Sequence, residues 1–181
     1  MLLAQKQETS QGFATKFGLT LAAAALIALG AKVQVPFWPV PMTLQTLAVL
    51  VIAAGLGPRL GLAAMGTYMA AGLAGLPVFA GSPERGIGLA YLAGPTTGFL
   101  IGMALAMVVT GALAQGRGLG LRALAMIAGT VAIYVPGLIW LSAFVPADRL
   151  LAAGVAPFIL GDMVKIVLGT LLLEAGRRLR R

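Results

Sequence analysis

Asp162 and Lys165 stand three positions apart in "GDMVK", inside the otherwise apolar stretch "VAPFILGDMVKIVLGTLLLEA". The i, i+3 spacing puts both side chains on one face of a helix. Charges placed at membrane depth are expensive and tend to mark substrate or ion paths. Together the two offer a hydrogen-bond acceptor and a cationic donor. That pair suits a ligand with N–H groups at one end and a carboxylate at the other. The alternative is an internal ion pair that only fixes helix packing, and the spacing alone leaves both open.

A second group lies in "VPFWPVPMTLQT", residues 35–46. Pro36, Pro39 and Pro41 exclude helix and favour a stiff, extended connection. Trp38 and Phe37 are expected either to anchor at the membrane interface or to close over a bound molecule. Thr43, Gln45 and Thr46 open the next helix. A buried Gln45 needs a neighbouring helix or a ligand as partner, whereas Thr43 has the further option of capping the helix. A third group lies in "SPERGIGLAYLAGPTTGF", residues 82–99. Glu84 and Arg85 are expected as solvated loop charges, with Arg85 kept as a binding candidate. Tyr91 is expected to stack on a ligand or to anchor at the interface. Lys32 is expected to snorkel to the headgroups and is a second candidate cation near the site.

Several chemistries are excluded by what the chain lacks. It has no cysteine and no histidine, so disulfides, thiol nucleophiles, imidazole bases and the usual zinc ligands are absent. The 5 acidic residues are scattered, and neither a phosphate-binding G-x-x-x-x-G-K-[S/T] nor a G-x-S-x-G occurs. No enzymatic activity, cofactor or metal site is expected. The net charge of +8 does not point to nucleic acid, because the basic residues gather at helix ends rather than in a patch.

These residues need membrane helices to position them. The 181-residue chain is 60% hydrophobic and 10% charged, with a mean hydropathy of +0.99. A soluble domain of this length carries roughly a quarter charged residues. An all-α integral membrane protein is expected, as one domain over residues 1–181. Residues 1–16 form a cytoplasmic N-terminal segment and 176–181 a basic cytoplasmic tail. The N-terminus lacks the pattern of a cleaved signal peptide. Six transmembrane segments are marked at 17–35, 41–56, 60–76, 95–114, 123–145 and 157–175. The second is short against the roughly 17–25 residues that a crossing needs.

With six crossings, nine of the 13 basic residues fall on one side: Lys6, Lys16, Arg59, Arg117, Arg122, Arg177, Arg178, Arg180 and Arg181. The other side receives Arg85 and Arg149, each beside an acid. The positive-inside rule then places both termini in the cytoplasm and Asp162 near the outer face. The outer connections are the longer ones, as expected of binding walls or lids. Pairs of small residues four apart mark faces for close helix packing: Gly18/Ala22, Ala24/Ala28, Gly66/Ala70 and Gly98/Gly102.

The stretches "PVPMTLQTLAVLVIAAGLGPRLG", "TYMAAGLAGLPVFAG", "LAGPTTGFLIG" and "GDMVK", in this order and spacing, resemble the BioY family. These are biotin-binding S components of energy-coupling factor transporters. The resemblance runs from about residue 35 to 165. It implies a six-helix protein of the bacterial cell membrane that captures biotin from the outer side. It also implies a transmembrane coupling protein and two cytoplasmic ATPases as partners, with ATP used only by the latter. Asp162 and Lys165 carry over from the family's GDxxK motif as biotin-binding positions, and Thr43 and Gln45 from its PVPxTLQT motif. Ala24 and Ala28 fit the Ala-x-x-x-Ala face on the first helix that meets the coupling protein. Arg85, Tyr91 and Trp38 are proposed from location and chemistry alone. Biotin matches the charges, since Asp162 can accept a ureido N–H and Lys165 can offset the valerate carboxylate. Other readings stay open: an S component for another small carboxylated vitamin, a secondary transporter with Asp162 and Lys165 as a proton relay, and a second copy of the chain as a partner.

Overall fold

The structure is a computed structural model. It describes residues 2–35 and 39–179, with side chains from residue 12 onward apart from that of Val35. Trp38 therefore lies outside the described residues, as do Phe37, Arg180 and Arg181.

The elements run in the order α1 (Leu2–Lys32), β1 (Gln34–Val35), β2 (Met42–Thr43), α2 (Gln45–Leu73), α3 (Leu89–Leu92), α4 (Thr97–Ala114), α5 (Leu119–Leu141), α6 (Leu150–Gly154) and α7 (Ile159–Arg178). A 3₁₀ turn, Ala147–Arg149, leads into α6. Among the described residues, five helical stretches are long and apolar enough to cross a membrane: Gly12–Lys32, Gln45–Leu73, Thr97–Ala114, Leu119–Leu141 and Ala147–Arg178.

The second stretch is not one straight rod. Gly57 has φ 82° and ψ 175°, and Pro58 follows it. Only glycine takes that backbone conformation readily, and the proline cannot supply the hydrogen bond that would continue the helix. The chain doubles back there. A Cβ on Gly61 would lie 3.6 Å from the Cα of Ala53, although the two would sit about 12 Å apart along a straight helix. Gln45 likewise lies beside the Tyr68 hydroxyl, which a straight helix would hold about 35 Å away. Residues 45–56 and 58–73 are thus two arms of a hairpin.

Glycines set the approach of the other helices. On α4, Gly98 faces the backbone of Pro136 and Gly137, and Gly102 faces Ile133, so that any side chain there would strike α5. Gly111 meets Gly57 and Pro58, seating α4 on the reversal. Of the four small-residue pairs, Gly98/Gly102 is thus a packing face between helices. Gly66 and Gly18 meet nothing within 4 Å and face outward.

At the other end, β1 pairs antiparallel with β2, with Gln34 opposite Thr43 and Val35 opposite Met42. The 3.0 Å hydrogen bond from Leu44 N to Val33 O ties the start of α2 to the end of α1. The strand β2 lies beside the first turn of α7, where Met42 Sδ approaches Gly161.

Candidate functional site

Asp162 occupies the first turn of α7 and Lys165 the second. Both are buried, at 8% and 6% exposure. Their side chains meet directly, with Lys165 Nζ 3.1 Å from Asp162 Oδ1. Lys165 also donates to Thr46 Oγ1 on the first arm of α2, at 2.9 Å. The second carboxylate oxygen, Asp162 Oδ2, accepts a hydrogen bond from the Tyr134 hydroxyl of α5. Three elements therefore converge on one ion pair. Each charge has a partner of the right kind, as a buried pair requires. Gly161 has its own reason to be small, since a Cβ there would sit 2.8 Å from Met42 Sδ in the adjacent hairpin.

These groups line a cavity together with Thr43, Phe99, Met103, Ile133 and Phe158. The polar groups are few and the rest of the wall is aromatic and aliphatic, the usual form of a small-molecule site. The free space is about 50 Å³, well below the roughly 300–1,000 Å³ of an open ligand pocket. The ion pair and its neighbours fill most of their own site.

The other expected residues fall in three places. Thr43 lines the cavity, and its Oγ1 also accepts from Gln45 N at 3.3 Å, so it satisfies one of the free N–H groups at the start of α2. Gln45 is 2% exposed but does not line the cavity; it points toward Tyr68, and its Nε2 has no hydrogen-bond partner among the described residues. Arg85 and Tyr91 sit together on the far side of residue 39, around a separate hollow with Pro39, Pro95 and Thr96. Arg85 is not a solvated loop charge, because its Nη1 donates to Pro39 O at 2.7 Å. Tyr91 stacks on Phe79, with ring centroids 4.6 Å apart, and donates to Ala80 O at 2.9 Å. Burial pushes its phenol pKa up. Trp38 lies outside the described residues.

Lys32 is exposed, and its ammonium has partners within the protein. Its ammonium donates to Phe79 O, Ser82 O and Ser82 Oγ at 2.8–3.0 Å, pinning the 79–82 loop to the end of α1. Ala24 and Ala28 are not an exposed face, since Ala24 is buried in the core and Ala28 packs against it.

Tyr134 and Phe158 were not singled out from sequence. The available signal for Tyr134 was a phenol in the middle of the apolar stretch "TVAIYVPGL", where its hydroxyl must find a partner. Nothing in the sequence named that partner, 28 positions away.

Comparison with known proteins bears on the whole chain. The BioY family model matches residues 5–181. A probable biotin transporter BioY of Pyrococcus horikoshii is 37% identical over 150 residues, covering 83% of this chain and 88% of that protein. The biotin transporter BioY of Thermotoga maritima is 39% identical over 150 residues, covering 82% and 87%. That of Rhodobacter capsulatus is 38% identical over 169 residues, covering 81% and 84%. Among solved structures, the 2.1 Å crystal structure of the S-component for biotin from an ECF-type ABC transporter superposes with a TM-score of 0.80 over 93% of both chains, at 23% identity. That likeness establishes the fold. The relatives are named as transporters rather than enzymes, and several apolar helices make the chain a multi-pass membrane protein. A family match over nearly the full length, relatives more than a third identical and a shared helical architecture lead to one conclusion: the chain belongs to the BioY family.

Proposed function

We propose that the chain is a biotin-capturing membrane subunit of an energy-coupling factor transporter. The observation that carries this reading is the buried Asp162–Lys165 pair, held by Tyr134 and Thr46 in an apolar cavity, in a chain whose relatives are named biotin transporters. Biotin brings ureido N–H donors, an apolar fused ring and a carboxylate. Asp162 accepts a ureido N–H, Lys165 donates to a ligand oxygen, and Phe99, Met103 and Phe158 enclose the ring system. Thr43 contributes a hydroxyl to the wall. Entry requires the lining to part, because the free space is about 50 Å³. Val40, Pro41, Met42 and Thr43 are the piece of that wall supplied by the segment leading into α2.

The same reading holds the chain to be a single domain of six crossings with both termini in the cytoplasm of a bacterial cell, in its inner membrane. The reversal at Gly57 supports six crossings, because it turns one long apolar helix into two opposed arms. The arm 45–56 covers only about 18 Å by itself, and the extended residues 39–44 complete its path. The chain itself uses no cofactor. A coupling membrane protein and two ATPases supply the energy, docking in part on α1 near Ala24 and Ala28 after that helix shifts.

Equilibrium binding of biotin to the purified full-length chain in detergent tests this directly. Saturable, tight binding is expected. A larger thermal shift with another carboxylated vitamin than with biotin would reassign the ligand. Proton-driven uptake into vesicles without ATPases would favour the self-sufficient transporter.

A further inference from the structure

At the end of the bundle away from Asp162, the reversal of α2, the start of α5 and the end of α7 leave a cavity of about 450 Å³. Arg122 and Arg177 supply its cations, and Ala54, Leu56, Leu172 and Leu173 its apolar wall. Arg122 has its Nε buried with no hydrogen-bond partner among the described residues. A guanidinium N–H sealed from water and left unpaired is costly, and the geometry asks for an acceptor that the described residues do not provide. Arg177 is only loosely held, 3.9 Å from Glu174, and its side chain is 38% exposed. Two guanidinium groups facing one cavity suit a phosphate, which accepts paired N–H bonds from arginine.

The cavity does not end at the charges. Leu172, one of its wall residues, is itself 58% exposed and also lines an apolar furrow of about 290 Å³ with Leu26, Leu29, Leu47 and Val51. That furrow runs along the outside of the first arm of α2, between α1 and α7. A free anion would use only the arginines. A phospholipid would use both parts, with the headgroup at Arg122 and Arg177 and an acyl chain along the leucines. Basic pockets between membrane helices are known sites for anionic headgroups.

We propose that this cavity and furrow form a site for one anionic phospholipid, seated at the opposite end of the bundle from the Asp162–Lys165 cavity. The lipid would brace α7 against the reversal of α2, the two elements that supply Lys165 and Thr46.

The test uses the purified full-length chain, stripped of lipid and then given phosphatidylglycerol, phosphatidylcholine with the same chains, or inorganic phosphate. Native mass spectrometry reads retention, and thermal unfolding reads stabilisation. Phosphatidylglycerol should be retained and should raise the midpoint, while the other two should do neither. R122Q/R177Q should cut phosphatidylglycerol retention by about thirtyfold, with helix content checked by circular dichroism. L29W, at an exposed furrow residue, should weaken retention without touching a charge. Equal stabilisation by phosphatidylcholine would overturn the charge assignment. An equal effect of inorganic phosphate would make this a soluble-anion site and overturn the lipid. Wild-type retention of phosphatidylglycerol by folded R122Q/R177Q would overturn the site itself.

Discussion

Lys165 and Thr46 stand 119 positions apart in the chain and meet at 2.9 Å. Their hydrogen bond joins the second turn of α7 to the first turn of α2, and through Asp162 and Tyr134 it extends to α5. The candidate site is therefore a junction of three helices as well as a cluster of ligand-like groups, and binding and stability are separable there.

Breaking the pair should harm both properties. Lys165→Ala leaves the Asp162 carboxylate buried without its cation, a loss of about 3–5 kcal/mol for a buried pair. Biotin binding should fall at least a hundredfold. Asp162→Leu with Lys165→Met removes both charges and should recover much of the stability without recovering binding. Thermal unfolding in detergent and titration with labelled biotin measure the two effects. Binding by the double variant would show that neither charge touches the ligand.

Tyr134→Phe keeps the ring and removes the donor to Asp162 Oδ2. The lost hydrogen bond leaves an acceptor of the empty protein unsatisfied, about 1–3 kcal/mol of stability, and frees the carboxylate that the proposed ligand meets, so ligand binding should weaken as well. Roughly tenfold or more is expected, with near-wild-type helix content. Calorimetric titration of the variant checks it.

Gly57→Ala should destabilise the fold by at least about 1–2 kcal/mol, the cost of a left-handed backbone for a residue with a Cβ. The new Cβ would also strike the Gln115 side chain, which lies over the glycine. Gly66→Ala is the control, because its Cβ would meet nothing within 4 Å. Unfolding midpoints of the two variants should differ clearly.

Lys32→Met should release the loop that the ammonium holds through Phe79 O and Ser82. Faster amide hydrogen exchange is expected at residues 79–85, with little change along α4 and α5. Unchanged exchange there would mean that the Phe79–Tyr91 stack and the bonds from Tyr91 and Arg85 secure the loop without Lys32.

The parts of this fold that were legible in the sequence are those encoded by local rules. Asp162 and Lys165 share a face because three residues separate them on a helix. The turn at 55–61 was marked by "GLGPRLG", and the structure places the reversal at Gly57 within it. What could not be read was rotation. In a membrane helix the lipid side and the protein side are both apolar, so hydrophobic period does not say which way a residue faces. Ala24 and Gly18 looked alike in sequence, yet one is buried in the core and the other meets nothing. Arg85 and Tyr91 shared a stretch with the site's aromatic wall residue Phe99 but belong to a neighbouring hollow. Tyr134 was missed because its meaning depends on which helix α5 faces, a matter of tertiary packing.

Under the proposed function, a cavity of about 50 Å³ filled by its own ion pair acts as a coincidence detector. An incoming molecule displaces bonds that the protein already makes to itself. One that brings only a donor leaves the ammonium with Thr46 alone, and one that brings only an acceptor leaves the carboxylate with Tyr134 alone. Only a guest that answers both at once repairs what it breaks. Selectivity then comes from the empty protein competing with its ligand, beside the wall that must part to admit it.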